Sequence, residues 1–386
     1  MNIPEKHRLL FRNTYASLRG RIHPNGYAPT SVTGAYEGMF ARDASIQIMA
    51  HAACGDFDAA RRMLTYIFAY HRQSGYEFAL HIMLEDQPPY SDMMQADSTF
   101  FLLHAWYLYA VHAPRSEEKT LLLAQTEAQA AAFADFYLTP EFYRQEKKLL
   151  RNPNLEGPRQ NSYFNCYDLL TNVYASQSLY ELSLYFAETR PEQASRWAQV
   201  SRALCEGIHE NLTAPVDGKQ VYMEMHALTR DDGRRYHNIP QRQSYIGFSW
   251  VNLSVLGADW YGADPAILEN TYAAYRRYAY VTYYGKYSMP EHEALYQPDG
   301  TCTLRKDHVL GKALAWELLY CHSTGRRERE QELLDFLARY SDEMYRETWK
   351  YAGGGSDTAN QEHASWMILA MQRAVFRHAQ TAGADL

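Results

Sequence analysis

What the chain has little of narrows it first. It contains no basic run, and Asp plus Glu (45) outnumber Lys plus Arg (38) for a net charge of -7, which argues against a nucleic-acid or anionic-membrane partner. The partner expected from this balance is small and neutral or cationic. No long apolar run occurs and mean hydropathy is negative, so a membrane span is not expected. The opening stretch MNIPEKHRLLFRNTYASLRG carries charges through its first turns and lacks the apolar core of a secretory signal, which makes a cytoplasmic location the expectation. Cysteine is sparse. Cys54, Cys166, Cys205, Cys302 and Cys321 are odd in number, widely spaced and without a CxxC pair, so they read as reduced residues rather than a disulfide framework. HExxH and GK[ST] spacings are also missing, and neither a metal nor any other cofactor is expected.

What is present is a globular chain of 386 residues, 46% apolar and 22% charged, long enough to bury a sizeable core. The 32 tyrosines lift aromatics to 14%. Aromatic faces and phenol hydroxyls suit sugar rings, although tyrosine also fills gaps between helices. Strand patterns are scarce and 3.6-residue periodicity dominates, predicting about twelve helices. They fall near 5–19, 42–54, 57–73, 96–113, 117–137, 166–189, 192–212, 246–261, 265–281, 306–324, 328–345 and 360–379. VDGKQVYMEM predicts a small β element turning at Asp217-Gly218.

Connections alternate in length. Tight ones at Gly55, Pro114, Pro191, Gly262 and Gly325 alternate with long ones over 20–41, 74–95, 138–165, 213–245, 282–305 and 346–359. That rhythm sets every long loop at one end of a closed ring of helix pairs. The helices following long loops, such as FFLLHAWYLYA, show little polar face and should form the inner layer. The expected fold is an all-α (α/α)6 toroid with a small β element in one long loop, built as a single domain over 1–386. The inner N-termini, with their unpaired N–H groups, should converge on a cavity.

The polar residues at those helix starts form the candidate constellations. Arg42-Asp43 opens the first inner helix and can hold adjacent hydroxyls, the guanidinium donating and the carboxylate accepting. Gln95 and Asp97 stand at the second, where helix capping is the plain alternative. Glu156 lies in the loop before the third, and Asp168 opens that helix as a cap. Glu291 and Glu293 flank His292 ahead of the fifth. Glu347, a triple glycine, Glu362, His363 and Trp366 mark the approach to the sixth.

Taken together these stretches carry a resemblance. FARDASIQIMAHAACGDFDAARRMLTYIFAYH resembles the Arg-Asp segment of the six-hairpin glycosidases, the superfamily of glucoamylases, trehalases, debranching-enzyme glucosidase domains and exo-α-mannosidases. MQADSTFFLLHAWYLYA is similar to their second inner helix, YDLLTNVYASQSL to their third, and RETWKYAGGGSDTANQEHASWMIL to their last loop and helix. The resemblance implies inverting glycoside hydrolysis by two carboxylates, with Glu347 as base and Glu156 as acid. Arg42, Asp43, Gln95, Asp97, Glu291, Glu293, Glu362 and Trp366 would bind an oligosaccharide or glycoside substrate. The acid position departs from the family, because Arg159-Gln160-Asn161-Ser162 stands where a carboxylate is usual. Glu85, Asp86 and Asp168 therefore stay open as acids, and Glu291 and Glu293 as bases. Two other functions also stay open: a sugar epimerase or unsaturated-sugar hydrolase using His81, His237, His292 or His363, and a noncatalytic carbohydrate-binding protein.

Overall fold

A helix that is apolar all round has no face to give to water, so it is stable only when neighbours enclose it. Among the described residues, six helices are largely of that kind, and they enclose one another. The computed structural model describes residues 4–33, 38–74, 81–84, 96–153, 165–223, 225–227, 244–245, 250–257, 259–278, 308–340, 344–350 and 355–376. These include α1 (Glu5–Gly20), α2 (Ala41–Ala53), α3 (Phe57–Ser74), α4 (Ala96–His112), α5 (Glu117–Phe136) and α6 (Leu169–Tyr185). There follow α7 (Pro191–Asn211), α8 (Trp250–Gly257), α9 (Pro265–Tyr278), α10 (Gly311–Ser323), α11 (Arg327–Tyr340) and α12 (Gln361–Met371). Helices α2, α4, α6, α8, α10 and α12 pack in that order, and α12 returns to α2. The ring is closed. Helices α1, α3, α5, α7, α9 and α11, all but α5 amphipathic, lie outside it, each against its inner partner.

Local chemistry delimits these helices. Ser116 caps α5 by accepting from the Lys119 N–H (3.1 Å), and Asn360 caps α12 by accepting from the His363 N–H (3.2 Å). Pro191 starts α7, where its missing N–H costs nothing. Gly55, at φ +79°, ends the α2 hairpin in a conformation that a side chain would oppose. The core is continuous through the ring, with Trp106, Trp197, Trp316 and Trp366 fully enclosed.

The loops at the inner N-termini hold more β structure than the sequence suggests. The expected hairpin exists, pairing Thr213–Val216 with Lys219–Tyr222 across Asp217 (φ +51°) and Gly218 (φ +75°). In addition, Asn165–Asp168 pairs with Asn152–Pro153 and with Met225–Ala227, which pairs in turn with Ser244–Tyr245. A three-stranded sheet joins His308–Leu310, Arg346–Lys350 and Gly355–Thr358. These strands correct two predicted boundaries. Helix α6 starts at 169 rather than 166 and α10 at 311 rather than 306, because the preceding residues belong to strands. Helix α8 stops at 257 rather than 261: Asp259 adopts φ +47°, and the Trp260 indole N–H is tied to Ser176 Oγ at 2.8 Å.

Candidate active site

Arg42, the second residue of α2, is the hub of the mouth at the inner N-termini. Its Nη1 donates to Asp97 Oδ2 on α4 at 2.9 Å, and its Nε lies 3.3 Å from Glu362 Oε1 on α12 and 3.7 Å from Asp43 Oδ1. Glu362 is also gripped from α10, with Lys312 Nζ 3.0 and 2.9 Å from its two oxygens. Four inner helices therefore meet through five ionisable side chains, four of them buried outright and Arg42 nearly so.

Electrostatics divide the carboxylates. Burial would raise Glu362, but Arg42, Lys312 and His363 outweigh it and hold the carboxyl below its usual range. Asp43 moves the other way, raised by burial and by the Glu362 charge against the pull of Arg42 and Lys312. The Asp43 side chain thus keeps its proton well above the usual carboxylate range. His363 is pushed down to about 3 by burial and by the neighbouring Lys312 cation, so its ring is neutral. Its Nδ1 accepts the Lys312 backbone N–H at 3.0 Å and the ring bonds the Glu347 main chain, which assigns the proton to Nε2.

Glu347 sits in the strand Arg346–Lys350, beside the first residue of α10. Gly311 makes that approach possible, since a Cβ there would lie 2.4 Å from the Arg346 carbonyl oxygen. Glu347 is buried, close enough for its charge to raise Asp43. Asp168, in the strand leading into α6, accepts from Thr171 N–H (2.7 Å) and Thr171 Oγ1–H (2.8 Å). Burial, with the Asp97 charge added, pushes it up to about 6 although Thr171 and Asn152 hydrogen-bond its charged form.

Two acceptors of the cluster, Asp43 Oδ1 and Asp97 Oδ1, receive no hydrogen bond from the described residues. Buried carboxylate oxygens are ordinarily satisfied, so this unused capacity suits a ligand rich in hydroxyl donors. Among the described residues no group of His, Cys, Asp and Glu is arranged to hold a metal ion, and no helix is long and apolar enough to cross a membrane.

The sequence-predicted residues divide accordingly. Arg42, Asp43, Asp97, Glu347 and Glu362 come together at one mouth. Trp366 does not join them as a sugar platform. Its ring packs edge-on to Trp316 (centroids 5.4 Å) and Phe101 (6.3 Å) in the core, two apolar neighbours that the sequence spacing could not reveal. Gln95, Glu156, Glu291 and Glu293 lie outside the described residues, as do Glu85 and Asp86. Sequence reasoning missed Lys312. A lysine inside GKALAWELLY, a helix otherwise apolar at its start, was the available signal.

Neither a family model nor a curated protein sequence matches the chain. Solved structures do match over nearly its whole length. A metal-independent α-mannosidase from Streptococcus pneumoniae, in a non-productive complex with α-1,6-mannobiose, superposes with a TM-score of 0.64 at 14% identity, covering 96% of this chain and 94% of that one. The chain has the six-hairpin glycosidase fold. A wild-type glycosidase gives 0.66 at 15% identity, covering 96% and 98% of the two chains. A rhamnosidase from Klebsiella oxytoca with bound rhamnose gives 0.62 at 12%, covering 97% and 64%.

Proposed function

We propose that the protein is a glycoside hydrolase that inverts configuration, with residues 1–386 acting as one catalytic domain on short oligosaccharides. The observation that carries this is the Arg42 cluster itself: a convergent set of fixed charges with unused acceptors, at the inner N-terminal mouth of a fold whose solved relatives are glycosidases. Asp43 and Asp97 accept from hydroxyls of the terminal sugar, while Arg42 and Lys312 keep Glu362 ionised and in place. Gln95, Glu291 and Glu293 complete the sugar-binding set.

Glu347 serves as general base, orienting a water on the face opposite the leaving group, and Glu156 protonates the departing oxygen. The two carboxyl groups would stand about 6.5–9.5 Å apart in such a scheme. Asp168 is the second candidate acid, favoured by a carboxyl held up to about 6 at the entry to the third inner helix.

A panel of aryl glycosides and disaccharides, with the first-formed anomer followed by NMR, tests the proposal. Inverted product supports it and retained product removes the two-carboxylate inverting scheme. Sugar binding without any turnover would favour the noncatalytic alternative, and epimerisation of a free sugar the epimerase. Azide sharpens the assignment: Glu347→Gln given the natural-anomer glycosyl fluoride should form a glycosyl azide of inverted configuration. Loss confined to poor leaving groups in Glu156→Gln, and absent from Asp168→Asn, identifies the acid.

A further inference from the structure

At the opposite end of the ring, where the inner helices finish, lies a cavity of about 440 Å³ with no part in the site above. Its apolar lining includes Leu108, Leu319, Leu369 and Trp366. Its polar lining includes His104 and, in the last turn, His112 on α4, and Gln177 and Glu181 one turn apart on α6, all from helices that are otherwise largely apolar. Glu181 is only 5% exposed, and its oxygens accept from His104 Nδ1 (2.7 Å) and Gln177 Nε2 (2.8 Å). A carboxylate offers about four acceptor sites, so each oxygen can take another donor. A well-formed pocket with a few convergent polar groups is the usual form of a small-molecule site.

Two further features bear on the ligand. Helix α12 passes here into a single π-helical turn, Gln372–Phe376, whose Gln372 and Arg373 line the cavity; such turns recur at functional sites. Helix C-termini gather at this end, adding partial negative charge to that of Glu181, while Arg373 at the rim is already paired with Asp259. An anion would be repelled. A cation on an apolar body matches both the charge and the walls.

We propose that this cavity binds a small organic cation, a protonated primary amine on an apolar or aromatic body, with its ammonium toward Glu181. The idea does not depend on the glycosidase proposal. Phenethylammonium titrated calorimetrically into the intact protein should give saturable single-site binding. Phenethyl alcohol should bind about tenfold more weakly and phenylacetate weaker still. Glu181→Gln should remove the preference for the ammonium over the alcohol. Should that variant fold poorly when its His104 partner is released, Ala53→Trp offers a second route, since Ala53 is an exposed rim residue and the indole would obstruct the mouth. Lack of saturable binding, equal affinity for alcohol and ammonium, or undiminished binding in Ala53→Trp would each overturn the proposal.

Discussion

Helix α10 carries two buried charges five residues apart, and they behave differently. Lys312 faces the Arg42 cluster, where Asp43 Oδ1 and Asp97 Oδ1 accept no hydrogen bond from the described residues. Glu317 faces outward to α9 and α11, where Tyr272 Oη (2.9 Å), Arg276 Nη1 (3.2 Å) and Arg329 Nε (2.9 Å) all donate to one of its oxygens. Burial pushes Glu317 up to about 7 even with these partners. Burial and a displaced pKa are thus common to both places. What separates them is hydrogen-bonding capacity: used up around Glu317, left over at the mouth. A buried charge that is fully partnered leaves nothing for a ligand to bond, whereas leftover acceptors can take donors from one.

That contrast can be broken experimentally, and the largest effect is expected at the mouth. Glu347→Gln should lower kcat about a thousandfold, roughly 4 kcal/mol, with little change in melting temperature; a large loss of stability with activity retained would place Glu347 with Glu317 instead. Glu317→Ala should do the reverse. It leaves Arg276 and Arg329 without their shared buried partner and should cost about 3 kcal/mol of unfolding free energy in urea titrations, while kcat and KM stay near native.

The Asp168 carboxyl gives a pH-dependent test. Its folded pKa is raised, so the stability that it contributes as the protonated acid is present below about pH 4 and is lost as pH rises through about 6. Replacing it by asparagine abolishes that loss. Between pH 4 and pH 7 the difference in unfolding free energy should therefore move about 2 kcal/mol in favour of Asp168→Asn, and a constant difference would show that Asp168 ionises normally. The smallest effect is expected from Asp43→Asn. Because Asp43 favours its protonated form, asparagine copies its charge and the melting temperature near neutral pH should hardly move. Substrate KM should rise about tenfold, roughly 1.4 kcal/mol, because the amide NH2 can only donate where the second carboxyl oxygen can also accept, and an unchanged KM would take Asp43 out of the sugar site.

Much of the fold is legible in the sequence. Helix α4 is apolar on all sides and α11 on one, which already separates inner from outer layers. Gly55 and Pro191 mark tight links by rules that act within a few residues. The strands at the helix entries escaped notice. Asn165–Asp168 meets Met225–Ala227 across a long stretch of chain, and a pairing a few residues long leaves no period to detect. Likewise Arg42, Asp43 and Asp97 stood out as charges at helix starts, while Lys312 and Trp366 did not announce their roles. A polar residue early in an apolar helix, and an aromatic later in one, look alike whether they face a ligand or a neighbouring ring.

By itself, the sequence determined the helical content, the inner and outer character of each helix and the alternation of short and long links, since helix periodicity, capping and turn chemistry are properties of neighbouring residues. Tertiary structure alone decided which carboxylates share Arg42, that Arg42 and Lys312 rather than solvent neutralise Glu362, and that Trp366 belongs to the core. Those outcomes depend on closing the ring, which sets residues 55 to 320 positions apart within hydrogen-bonding or ion-pairing distance and strips them of water together. Only then do burial and Coulomb attraction act on charges that the chain holds far apart.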